Sequence, residues 1–82
     1  MPYIHKSQRE RLANGDYPRT AGELNYLITQ LCTTFIGRVA PSYTNYNEVI
    51  GVLECVKQEF YRRAMVPYED KKIAENGDVY DG

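Results

Sequence analysis

Two runs of apolar residues spaced three and four apart decide most of what this chain can become. Leu24, Leu27, Ile28, Leu31, Cys32, Phe35 and Ile36 form the first run; Val49, Val52, Leu53, Val56, Phe60 and Ala64 form the second. A half-buried strand alternates with a period of two, so this spacing selects amphipathic helix. Ahead of the first run, Thr20-Ala21-Gly22-Glu23 has the form of a capping box, a hydroxyl with a carboxylate three residues on. A helix over 21–37 follows, weakened at its end by Thr33-Thr34 and Gly37 and closed by a loop at Ala40-Pro41-Ser42. The second run predicts a helix over 45–65, with several candidate N-caps between Tyr43 and Glu48 and a stop at Pro67. At about 20 residues it would extend roughly 30 Å.

Shorter signals flank these helices. Ser7-Gln8-Arg9-Glu10 reads as a second capping box and Asn14-Gly15 as a stop, which predicts a short helix over 8–13. Tyr17-Pro18-Arg19 reads as an extended connection, because the residue before a proline is pushed out of the helical region. Beyond Pro67, Tyr68–Ile73 admits a turn or two of helix, Asn76-Gly77-Asp78 a turn and Val79-Tyr80 an extended end, so 68–82 is read as a mostly irregular tail. The expected class is all-α: an antiparallel hairpin of two long helices with a short N-terminal helix, in one domain over 1–82. A chain of 82 residues buries only about 60% of its unfolded surface and has no disulfide framework to compensate, which favours completing a bundle by homo-oligomerisation. Gly51 costs about 1 kcal/mol of helix propensity relative to Ala; with Cys55 four residues on, close helix packing is the reason we favour for its presence.

Composition excludes several function classes. With ten basic and eleven acidic residues and a net charge of −1, no global field would hold the chain on nucleic acid or an anionic membrane. The N-terminal residues lack the apolar run of a signal peptide and no apolar stretch is long enough to cross a bilayer, so a cytoplasmic location with Cys32 and Cys55 reduced is expected. His5 is the only histidine, and no phosphate loop, nucleophile elbow or dinucleotide fingerprint occurs. Glu48, Glu54 and Glu59 lie along one helix but lack the paired-carboxylate pattern of metal-dependent nucleotide pyrophosphatases. The expectation is a non-enzyme without cofactor or metal, with a metal-dependent nucleotide hydrolase as the remote alternative.

Two groups of residues suit binding. Lys57, Tyr61, Arg62, Arg63, Tyr68, Lys71 and Lys72 gather around the end of the second long helix, where guanidinium forks suit phosphates and tyrosine faces suit a stacked base. The plainer reading is that the cations complement the helix C-terminus while the rings close a thin core. Tyr43, Tyr46, Asn47 and Glu48 sit at the start of the same helix, where free N–H groups attract anions or simply receive a cap. Eight of the ten aromatics are tyrosine, a bias that suits pockets and subunit interfaces.

Met1-Pro2-Tyr3-Ile4, Gly22–Thr29, Tyr46–Glu54, Glu59–Arg63 and Pro67–Ile73 running to Asn76–Tyr80 together resemble a family of small phage and prophage proteins. The resemblance covers well over half of the chain and leaves out Gln8–Arg19 and Thr33–Ser42. It implies a phage setting and brings no catalytic residue. In that setting a small oligomer fits the role of a sponge that sequesters a nucleotide-derived immune signal, a cyclic nucleotide or an ADP-ribose derivative, and so blocks host defence. Arg62, Arg63, Lys57 and Lys71 would then hold phosphates while Tyr61, Tyr68 or Tyr46 stacks, with Asn47 nearby. The alternative is an adaptor or inhibitor whose tyrosine-rich surface docks a protein.

Overall fold

The computed structural model describes residues 1–81, and all regular structure among them is helical. In chain order come α1 (Lys6–Ala13), α2 (Ala21–Val39), α3 (Tyr43–Phe60), a π-helical turn (Tyr61–Met65) and α4 (Val66–Asn76). No helix among the described residues is long and apolar enough to cross a membrane. The chain divides into two compact units, Met1–Tyr46 and Asn47–Gly82.

In the first unit, α1 begins earlier than the 8–13 the sequence suggested. His5 is the N-cap, and its N–H donates to Gln8 Oε1 at 2.7 Å, so the cap lies upstream of the expected Ser7–Glu10 box. Gln8 wins because its amide also donates to Glu23 Oε2 on α2 at 2.8 Å, a second bond that Glu10 does not make. The helix stops at Gly15 as its sequence demands, with φ +95°, a value only glycine adopts without strain. Residues 1–4 lie over the first turn of α2. A Cβ added at Gly22 would stand 3.3 Å from the Met1 carbonyl oxygen and 3.5 Å from Ile4 Cγ2, so this glycine permits a close approach. Thr20 caps α2 through its hydroxyl, which accepts from the Glu23 N–H at 3.1 Å. Leu12, 6% exposed, is the buried apolar residue where α1 meets α2.

α2 continues two residues past the expected 37, to Val39. Asn45 secures its end by donating from Nδ2 to the Ala40 carbonyl at 2.9 Å and the Val39 carbonyl at 3.3 Å. Ser42, read from the sequence as loop, is the residue that starts α3: its hydroxyl accepts from the Asn45 N–H at 3.1 Å and its carbonyl from the Tyr46 N–H at 2.9 Å.

In the second unit, Pro67 does not end the helix. Proline lacks an N–H and its ring collides with the carbonyl four residues back, here that of Arg63. The turn over 61–65 widens instead: the Val66 N–H bonds the Tyr61 carbonyl five residues back, and Pro67 sits in the first turn of α4, where a missing N–H is tolerated. The tail expected to be irregular over 68–82 is thus helical as far as Asn76, and ends at Gly77 with φ +91°. Gly51 is open: a Cβ there meets nothing within 4 Å among the described residues. Cys32 is half-buried and Cys55 is exposed; both are free thiols.

Ala40 carries φ +92° with ψ 141°, a region that an L side chain reaches only at a cost of about 1–3 kcal/mol. Ala40→Gly is therefore expected to raise unfolding free energy by about 1 kcal/mol, read from the urea midpoint. An unchanged or lowered midpoint would refute strain at this residue.

Candidate functional site

The structure brings together three of the residues the sequence nominated, Tyr61, Tyr68 and Lys72. Tyr61 and Tyr68 line an open groove of about 710 Å³ in the second unit, shared with Met65, Glu69, Asp70, Lys72, Ile73, Asp78, Val79 and Tyr80. One wall is the helix face from the π turn through α4, and the other is the segment beyond Gly77, whose N–H donates to the Ile73 carbonyl at 2.8 Å. The Tyr61 hydroxyl donates to Glu69 Oε1 at 3.0 Å, and this anionic acceptor pushes the phenol above its ordinary value of 10.0. Lys72 lies with its ammonium 5.6 Å from the centre of the Tyr68 ring and 3.2 Å from Glu75 Oε2.

Of the nominated cations Lys72 lines the groove, and the others are placed elsewhere. Arg62 Nη2 donates to both carboxylate oxygens of Glu59 at 2.9 Å, and Arg63 Nη1 stands 3.8 Å from the same group. Lys57 pairs with Glu54 at 3.1 Å. Gln58 and Lys57 together hold the Glu54 carboxyl below its ordinary value. None of Lys57, Arg62, Arg63 and Lys71 lines the groove. Tyr46 closes the first unit and Asn47 opens the second, both exposed in the first turns of α3. No cluster of three His, Cys, Asp or Glu residues arranged to hold a metal occurs among the described residues, so Glu48, Glu54 and Glu59 do not converge.

The most organised polar cluster lies in the first unit, where sequence reasoning proposed no site. Glu23, 3% exposed, accepts from the Arg19 N–H at 2.9 Å, from Arg11 Nη2 and from Gln8 Nε2 at 2.8 Å. The Arg19 N–H, then Arg11, then Gln8 hold its carboxyl down at about 2. Arg11 continues to Asp16 through Nη1, which also donates to the Tyr17 carbonyl at 3.1 Å, and Arg19 Nη2 meets the same Asp16 oxygen at 3.0 Å. Asp16 is lowered, first by Arg11 and then by the Tyr17 N–H; Arg11 is raised, first by Asp16 and then by Glu23. These bonds run between elements, so the cluster fastens α1 and the 16–19 connection to α2. The capping-box spacing gave Glu23 a local role, and only the fold shows that its partners lie 12 and 15 residues away.

The family model described as Domain of unknown function (DUF6899) matches residues 1–79. The chain belongs to that family, and the match runs through Gln8–Arg19 and Thr33–Ser42, the stretches the phage-protein resemblance left out. No curated protein and no solved structure matches the chain.

Because Glu23 is held at about 2, the stability it contributes is whole above about 4.5 and is lost as pH falls toward about 2, and the lowered Asp16 acts in the same direction. The urea midpoint should fall through that window, and Glu23→Gln, lower at neutral pH, should show a shallower fall. Parallel acid profiles for the two proteins would show that the cluster is not what titrates.

Proposed function

We propose that this chain is a binding protein, not a catalyst, and that it works as a homo-oligomer assembled through the apolar stripe of α2. The observation that carries this reading is the exposure of that stripe: Leu31 is 72% and Phe35 45% exposed, with Leu24, Ile28 and Val39 exposed as well. Complete burial of each large apolar side chain stabilises by about 1.5–3 kcal/mol, so covering the row gives a strong drive to associate. Leu24, Ile28, Leu31 and Phe35 are spaced four, three and four apart, the repeat by which one helix seats its side chains between those of another.

The choice of a second copy as the covering partner rests on charge. Along its 19 residues α2 carries only Glu23, which is buried and paired, and Arg38. Asn25, Thr29, Gln30, Thr33 and Thr34 supply neutral flanks, so two identical faces meet without like-charge repulsion in a two-fold arrangement. The antiparallel hairpin of the two long helices, which the second copy would complete to a bundle, belongs to the same proposal.

Sedimentation equilibrium of the wild-type chain should give a discrete oligomer, and Leu31→Glu with Phe35→Glu should weaken association at least about tenfold while retaining the helical circular-dichroism signal. A wild-type monomer at micromolar concentration would overturn the reading. Native mass spectrometry with cyclic dinucleotides and cyclic ADP-ribose-type compounds examines the sponge: an intact nucleotide on the oligomer supports it, and an empty oligomer supports a protein-binding module.

A further inference from the structure

The groove along α4 carries a charge pattern opposite to that of a phosphate site. Glu69, Asp70 and Asp78 line it, and none of the three is ion-paired among the described residues. The one lining cation, Lys72, is already engaged by Glu75 and by the Tyr68 ring. The Tyr61 hydroxyl orients Glu69 without neutralising it. Tyr61, Tyr68 and Tyr80 bring three rings to the same place as the three carboxylates. An aromatic face attracts a cation through its quadrupole, and Lys72 over Tyr68 is an instance of that chemistry within the chain.

We propose that this groove binds an organic cation, a primary ammonium or guanidinium group on an aliphatic chain, supplied either by a free polyamine or by a Lys or Arg side chain of a peptide. The carboxylates provide the charge and the tyrosines the faces, while Met65, Ile73 and Val79 receive the methylenes. The volume, about 710 Å³, falls within the roughly 300–1,000 Å³ of small-ligand sites. This site lies wholly within residues 61–80 and does not depend on what covers α2.

The test is a titration of the full chain, followed by NMR of the tyrosine ring signals, with spermidine, with a short blocked Lys-Arg peptide, and with inorganic phosphate as the probe of opposite charge. Saturating shifts at Tyr61, Tyr68 and Tyr80 with spermidine alone assign a free polyamine, and shifts with the peptide assign a protein side chain; either supports the site. Asp70→Asn with Asp78→Asn should weaken the responding cation about tenfold while the helical signal persists. Should that variant lose its helix, Glu69→Gln, which keeps an acceptor for Tyr61, carries the same expectation. No saturating shift with either cation, a response to phosphate instead, or unchanged affinity in the folded variant overturns the proposal.

Discussion

The first unit depends on a carboxylate that has left water. Glu23 is almost fully buried on a helix whose neighbours offer little apolar cover, and removing such a charge from solvent is costly unless donors replace the lost water. Gln8, Arg11 and the Arg19 N–H supply three, and no buried side-chain polar atom among the described residues lacks a partner. Because these bonds are directional and arise both from α1 and from the connection ahead of α2, they fix orientation as well as energy. Leu12, the buried apolar residue at the same junction, supplies burial but no direction.

In the second unit the corresponding constraint is Pro67. A proline inside a helix forces either a break or a local change of pitch. The wider turn at Tyr61–Met65 accommodates it and lets the helical path continue into α4. Tyr61, Met65, Glu69 and Ile73 then share one wall of the groove. A true stop at Pro67 would have left Tyr61 on a helix and Glu69 on a loop, with no reason to meet.

The helices themselves were legible because periodicity and caps are local. The stripes gave α2 and α3, Thr20 and Gly15 gave a start and a stop, and each depends on residues within a few positions of one another. What was not legible depends on distance along the chain or on competition between two valid rules. Glu23 satisfies a capping-box spacing, yet its carboxylate accepts from the Arg19 N–H and from side chains far upstream. Pro67 satisfies the rule for a helix end, yet a π turn absorbs it, and the missed continuation hid the groove face. The pairing of Arg62 and Arg63 with Glu59 was readable from spacings of three and four, which make such side chains neighbours on a helix surface.

The ionic cluster also bears on why α2 keeps an open stripe. α1 has eight residues, about 12 Å of helix, whereas the 19 residues of α2 extend about 28 Å. Gln8 and Arg11 on α1 both meet Glu23, in the first turn of α2, so the short helix is fastened at one end of the longer one. A lid of 12 Å fixed there has no means of covering Leu31, Phe35 and Val39, which begin two turns further on. The electrostatics that hold the first unit together thereby leave the distal half of its longest apolar face uncovered within that unit.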